Sequence, residues 1–112
     1  MKKYYDVLAL TRKLGREPNV DTALHILQWE LGDVAKATTY MSWHPELTSS
    51  YKAEAKLALS SLVFQTMVVS KLLGFEIEEL LEMGVDIIKG RIEEKQKKLG
   101  RFQHYVDEGK SG

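Results

Sequence analysis

No cysteine occurs in the 112-residue chain, which removes a disulfide framework, a thiolate nucleophile and a zinc-thiolate site together. Charge of either sign is not in surplus, because 16 Lys and Arg balance 16 Asp and Glu for a formal net charge of +0. A duplex nucleic acid or an anionic membrane finds no general attraction in that balance, so neither is expected as a partner. The longest uncharged stretch, Leu57 to Ser70, is interrupted by Ser60, Ser61, Gln65 and Thr66. It falls short of the roughly 18 apolar residues of a membrane span. Met1 to Asp6 carries charge and lacks the apolar segment of a secretory signal, so a cytoplasmic location is expected. The chain is short enough for one domain, since single domains most often hold roughly 100–150 residues. That domain is expected over 1–105, followed by a flexible tail over 106–112 in which Gly109, Lys110, Ser111 and Gly112 offer nothing to bury.

What is present is helical periodicity. Tyr4, Tyr5, Val7, Leu8, Leu10 and Leu14 recur at roughly helical spacing, and Gly15 stands where a left-handed cap belongs. Pro18 breaks the chain, and Asp21 offers a carboxylate to the free amides of a second helix running from Thr22 to about Met41. One broad arc of that helix holds Ala23, Ile26, Leu27, Leu31, Val34 and Ala37, with Glu30 as its only charged member and Asp33 at its edge. Trp43-His44-Pro45 makes a loop. Thr48, Ser49 and Ser50 are the N-cap candidates of a third helix that ends at Leu73 before Gly74.

The third helix has apolar residues at nearly every angle about its axis, the pattern of a helix buried on all sides in a soluble bundle. On it, Glu54, Ala58, Ser61 and Gln65 share one stripe that would line a wet cleft. A fourth helix from Glu76 carries Glu78, Glu79 and Glu82 early and Lys95, Lys97 and Lys98 late, matching its dipole. Gly84 and Gly90 weaken its middle and predict a bend or close packing there. From Val106 the helix is expected to fray. The fold class is all-α, a four-helix-type bundle. The apolar circumference of the third helix exceeds what the other helices of so small a chain cover, which predicts an oligomer.

Glu30 and Asp33, three residues apart on one helix, point to the same side and suit a hard divalent cation held through oxygen. An ionised carboxylate in an apolar arc needs a cation or several hydrogen bonds. Glu30 therefore faces either a metal or a buried structural ion pair. His25, His44 and His104 lack ligand spacing. Ser60 and Ser61 lack a nucleophile-elbow context and are expected to bond back to the preceding turn. Trp29 and Trp43 suit packing, and the basic run Lys95-Gln96-Lys97-Lys98 suits a solvated helix end.

The run Leu27-Gln28-Trp29-Glu30-Leu31-Gly32-Asp33-Val34-Ala35-Lys36-Ala37, followed by Val63-Phe64-Gln65 and Leu72-Leu73-Gly74-Phe75-Glu76-Ile77-Glu78-Glu79, resembles the MazG-like all-α NTP pyrophosphatase superfamily over about residues 21 to 99. The resemblance implies an oligomeric helical bundle, a homodimer or homotetramer. It also implies Mg2+, or Mn2+ in its place, and cleavage of a nucleoside triphosphate into monophosphate and pyrophosphate. The family's Glu-Glu-x-x-Glu motif falls on Trp29, Glu30 and Asp33, with tryptophan replacing the first glutamate and aspartate the last. Its Glu-x-x-Asp motif falls on Ala58 and Ser61, neither of which ligates magnesium, and Glu54 one turn upstream is the acid able to substitute. Glu30 and Asp33 are thus the implied catalytic pair, with Glu54 as third metal ligand and Lys89 and Arg91 as phosphate contacts. A competing expectation is a non-catalytic relative that keeps the bundle as an interaction or regulatory module, for which the changes at Trp29, Ala58 and Ser61 speak.

Overall fold

The computed structural model describes the backbone of residues 5–111 and the side-chain surroundings of residues 5–101. Among the described residues the chain is all-α, with helices α1 (Val7–Lys13), α2 (Val20–Trp43), α3 (Thr48–Leu72) and α4 (Ile77–Ser111) and no strand. It divides into two compact units, Met1–Glu76 and Ile77–Gly112.

In the first unit, α1 starts at Val7 because the Asp6 carboxylate accepts from the Ala9 amide at 3.0 Å. Val7 and Thr11 face inward, while Leu10 and Leu14 of the expected apolar set are exposed. Tyr4 lies outside the described residues. The cap of α2 is Asn19 rather than Asp21: the Asn19 side chain accepts from the Thr22 amide at 3.1 Å, and Asp21 sits inside the first turn, where its charge complements the helix dipole. A 3-10 turn, Pro45–Leu47, joins α2 to α3. None of Thr48, Ser49 and Ser50 acts as a side-chain cap, because the turn feeds directly into α3 and Thr48 Oγ1 instead donates to the Pro45 carbonyl at 2.6 Å.

That short connection folds α3 back along α2. Tyr40 meets Tyr51 at 5.8 Å between ring centroids, Glu30 and Asp33 share a cleft with Ala58 and Ser61, and Ala23 shares another with Gln65 and Val68. The two helices are antiparallel. Their contact is lined by small residues, the buried Ala23 and Ala37 on α2 and Ala58 on α3, which lets the helix backbones approach closely. At the end remote from the Pro45–Leu47 turn, Val7, Ala23 and Val68 form a core cluster, covered by Leu8, Phe64, Met67, Val69 and Leu72.

The expected all-round burial of α3 does not hold within the first unit. Only Ala58, Gln65, Val68 and Ser70 are buried on it, whereas Leu57 is 74 % exposed and Val63 60 %. The reason is geometric: α2 covers one face, α1 is seven residues long and reaches only the C-terminal half, and nothing else in the first unit covers the remainder. Pro45–Leu72 is also long and apolar enough, by length and composition, to cross a bilayer.

The second unit is a single helix. The helix assignment runs through Gly84 and Gly90 without interruption, and a Cβ built at either meets nothing within 4 Å. Its helical backbone continues to Ser111, past the Val106 at which fraying is expected.

The C-terminus of α3 is held by a complete set of capping bonds: Phe75 N–H to the Ser70 carbonyl at 2.8 Å and Gly74 N–H to the Lys71 carbonyl at 3.1 Å, with Gly74 at φ 81°. Gly74→Ala should cost about 1 kcal/mol, because a Cβ is strained in that left-handed conformation. Gly32→Ala, on an exposed helical position with open space around it, should add about 1 kcal/mol. Urea denaturation of the two variants gives shifts of opposite sign.

Candidate functional site

The polar stripe of α3 faces α2, because Ala58 and Gln65 belong to the packed face of the helix and Glu54 and Ser61 flank it. On α2, Glu30 lies on the packed face, with Asp33 and Lys36 one and two turns along its flank. Antiparallel pairing brings these flanks together in a cleft of ≈ 340 Å³ lined by Glu30, Asp33, Lys36, Glu54, Leu57, Ala58 and Ser61. Two segments separated in sequence by the whole α2–α3 turn therefore meet. They are the segment carrying Glu30 and Asp33 and the one carrying Glu54, Ala58 and Ser61.

Glu30 is half-buried, Ser61 likewise, and Ala58 forms the closed floor; Asp33, Lys36 and Glu54 are exposed at the rim. Among the described residues the ion pairs are Arg12 with Glu17, His44 with Glu46 and Lys71 with Glu76. None involves Glu30, Asp33 or Glu54, so no cation answers Glu30 among the described residues. Lys36, absent from the sequence-based expectations, brings the cleft's positive charge. Its ammonium lies 5.7 Å from the centre of the Tyr40 ring, close enough for a cation–π attraction that restrains a flexible side chain. The signal for it was in the sequence, since Lys36 follows Asp33 at the same helical step by which Asp33 follows Glu30.

The donor chemistry suits magnesium only in part. Three carboxylates from two helices border one opening, but among the described residues no three acidic or histidine side chains converge on one point. Magnesium keeps several waters and takes one or two carboxylates together with substrate phosphates. Glu30 and Asp33 satisfy that smaller requirement.

Most of the remaining candidates lie away from the cleft. The His25 ring is bonded to the Asp21 carbonyl at 2.7 Å, and His44 is 3.4 Å from Glu46. The side chain of His104 lies outside the described residues. Ser60 donates to the Lys56 carbonyl at 2.8 Å, the expected bond to the preceding turn. Trp43 meets the Tyr40 ring edge to face, while Trp29 is 67 % exposed and lines no cleft described here. Lys89 and Arg91 are exposed residues of the second unit.

Compared with known proteins, the chain matches no family model, no curated protein and no solved structure.

Glu30 occupies a half-buried position between Ile26, Leu27 and Val34, where leucine would pack and would relieve repulsion from Asp33 and Glu54. Glu30→Leu should therefore raise the metal-free stability by about 1 kcal/mol, roughly half the value of a fully buried leucine. Thermal unfolding in chelator reads the sign. A lower melting temperature would mean that Glu30 answers a cation after all.

Proposed function

We propose that this chain is a divergent MazG-like protein, a magnesium-dependent nucleoside triphosphate pyrophosphohydrolase or nucleotide-binding protein of the cytoplasm. One observation carries the proposal. The positions that the family resemblance assigns to two separate acidic motifs, Glu30 and Asp33 on α2 and Ala58 and Ser61 on α3, border a single cleft. Positions three residues apart share one side of a helix, and here the two sides line the same opening.

Glu30 and Asp33 would hold Mg2+, or Mn2+, jointly with substrate phosphate oxygens, and Glu54 would reach it as a third ligand from the opposite wall. When bound, the ion neutralises charge on the phosphates. Lys36 contributes a point charge to the same phosphates from the rim. Water attacks the α-phosphorus, the bond from that phosphorus to the bridging oxygen breaks, and monophosphate and pyrophosphate leave. Glu30, half-shielded from solvent, takes the proton of the attacking water. With alanine and serine at the second motif, the site supplies fewer charges than such hydrolysis ordinarily uses, and turnover is slow.

The zero net charge supports a small nucleotide over a nucleic acid duplex or a membrane. The buried Gln65 and Ser70 favour α3 as a packed soluble helix over a membrane span. Self-association into a homodimer or homotetramer rests on the flank of the α2–α3 pair opposite the cleft, where Leu24, Leu31, Leu59 and Val63 are all exposed. A second reading, the non-catalytic interaction module, draws on that same apolar flank and on the uncharged Ala58 and Ser61.

Calorimetry should find weak magnesium binding that tightens when a non-hydrolysable triphosphate is present. Asp33→Asn should weaken it at least roughly tenfold, the scale on which even outer ligand partners act. Metal affinity indifferent to Asp33→Asn removes the site. Ala58→Glu combined with Ser61→Asp should speed pyrophosphate release from a panel of triphosphates. If that double variant folds and binds metal yet releases none, the interaction module becomes the better reading.

A further inference from the structure

Along α4 the apolar residues keep a seven-residue period. Val85, Ile92 and Leu99 form one series, and Leu81, Ile88 and Lys95 form the other, offset by three positions. Leu81 is 69 % exposed and Ile88 and Ile92 are 50 % exposed, and within the second unit, a single helix, no other element covers this stripe. Beside it Gly84 leaves a shallow apolar hollow of ≈ 410 Å³, walled by Leu80, Leu81, Val85 and Ile88. A strict heptad stripe is the seam of a coiled coil, and a lone helix with such a seam calls for a second helix.

Charge selects the partner and its direction. Lys95 interrupts one series, and Glu78 occupies the corresponding place at the start of the other. In a parallel pair, Lys95 would face its own copy across the seam and Glu78 likewise, two like-charge contacts in the core. In an antiparallel pair one register avoids both: Leu81 faces Ile92 of the other copy, Val85 faces Ile88, and Glu78 faces Lys95, closing each end with an ion pair. On the flank of that register Glu82 meets Lys89, and Arg91 lies over Gly84, where the missing side chain leaves room for its stem. Displacing the helices by one heptad sets Lys95 against Val85 in one direction and Glu78 against Ile88 in the other, and each leaves a charge unpaired in the seam.

We propose that α4 is a self-recognition helix that pairs antiparallel with α4 of a second copy of this chain, centred between Asp86 and Ile87. The pairing does not depend on the metal or nucleotide reading of the α2–α3 cleft. It assigns Lys89 to an ion pair with Glu82 of the other copy.

The absence of native cysteine allows single nitroxide labels at Asp86→Cys and at Lys97→Cys in the full chain. Both positions lie off the seam. Electron-electron distance measurements should show the two copies' labels close together at position 86. At position 97 they should lie about 30 Å further apart along the helix axis, from the 1.5 Å rise per residue. Ile88→Asp, on an exposed helical site that does not endanger folding, should abolish the short distance at position 86. Glu82→Lys should weaken the pairing several-fold, and Glu82→Lys with Lys89→Glu should restore it, since residues seven apart on one helix do not touch. Equal distances at positions 86 and 97 would mean a parallel pair. No short distance at position 86, or one that survives Ile88→Asp, would mean that something other than a second α4 covers the stripe. Either result overturns the proposal.

Discussion

Close approach of α2 and α3 is the constraint on which the first unit depends. Ala23, Ala37 and Ala58 are buried along their contact, and small side chains there let two long helices lie near enough for larger neighbours to interlock. The Pro45–Leu47 turn adds the direction. It is too short to permit anything but return of the chain, and the antiparallel register then follows from the inward faces. Every feature of the cleft is downstream of that register, since a rotation of either helix by one residue would carry Asp33 or Ser61 away from its opening.

The energetics of the unit are those of a small structure with a small core. Val7 and Val68 are its largest fully buried side chains, while Leu24 and Leu31 on α2 and Leu57, Leu59 and Val63 on α3 are exposed. A domain of this size has little surplus stability, and so large an exposed apolar area is seldom left uncovered in a soluble protein. The two flanks of the helix pair thus differ in character: one carries the acids and Lys36, and the other exposes Leu31 and Val63. That segregation lets each flank change without unmaking the other.

The carboxylates illustrate how position governs chemistry. Glu30 and Asp33 belong to the same helix and the same motif, yet one is half-buried beside the α3 floor and the other is exposed at the rim. Without an ion pair for either among the described residues, the cleft holds three acids and one lysine. That surplus of negative charge favours a cation over an anion, and an anion chiefly when it arrives with a cation.

Much of this was legible in the sequence, for identifiable reasons. Helical periodicity located the four helices, and the glycines at positions 15 and 74 marked two ends correctly because a positive φ is cheap only for glycine. The stripe Glu54, Ala58 and Ser61 was recognisable as a cleft wall because spacing alone decides which residues of a helix share a side. Competing local donors and acceptors hid the caps: Asn19 rather than Asp21 took the free amide of Thr22, and the turn before α3 made a side-chain cap unnecessary. Spacing put Lys36 on the flank of Asp33, but its role there depends on the ring of Tyr40 and the opposite wall, which spacing does not supply. A helix apolar on every side, such as α3, carries no periodic signal of which face is covered, so the distribution of burial around it was decided by the register with α2 and the shortness of α1. Local chemistry determined where the helices lie along the chain; only the tertiary arrangement could decide which of their faces meet, because that choice is made by two surfaces at once.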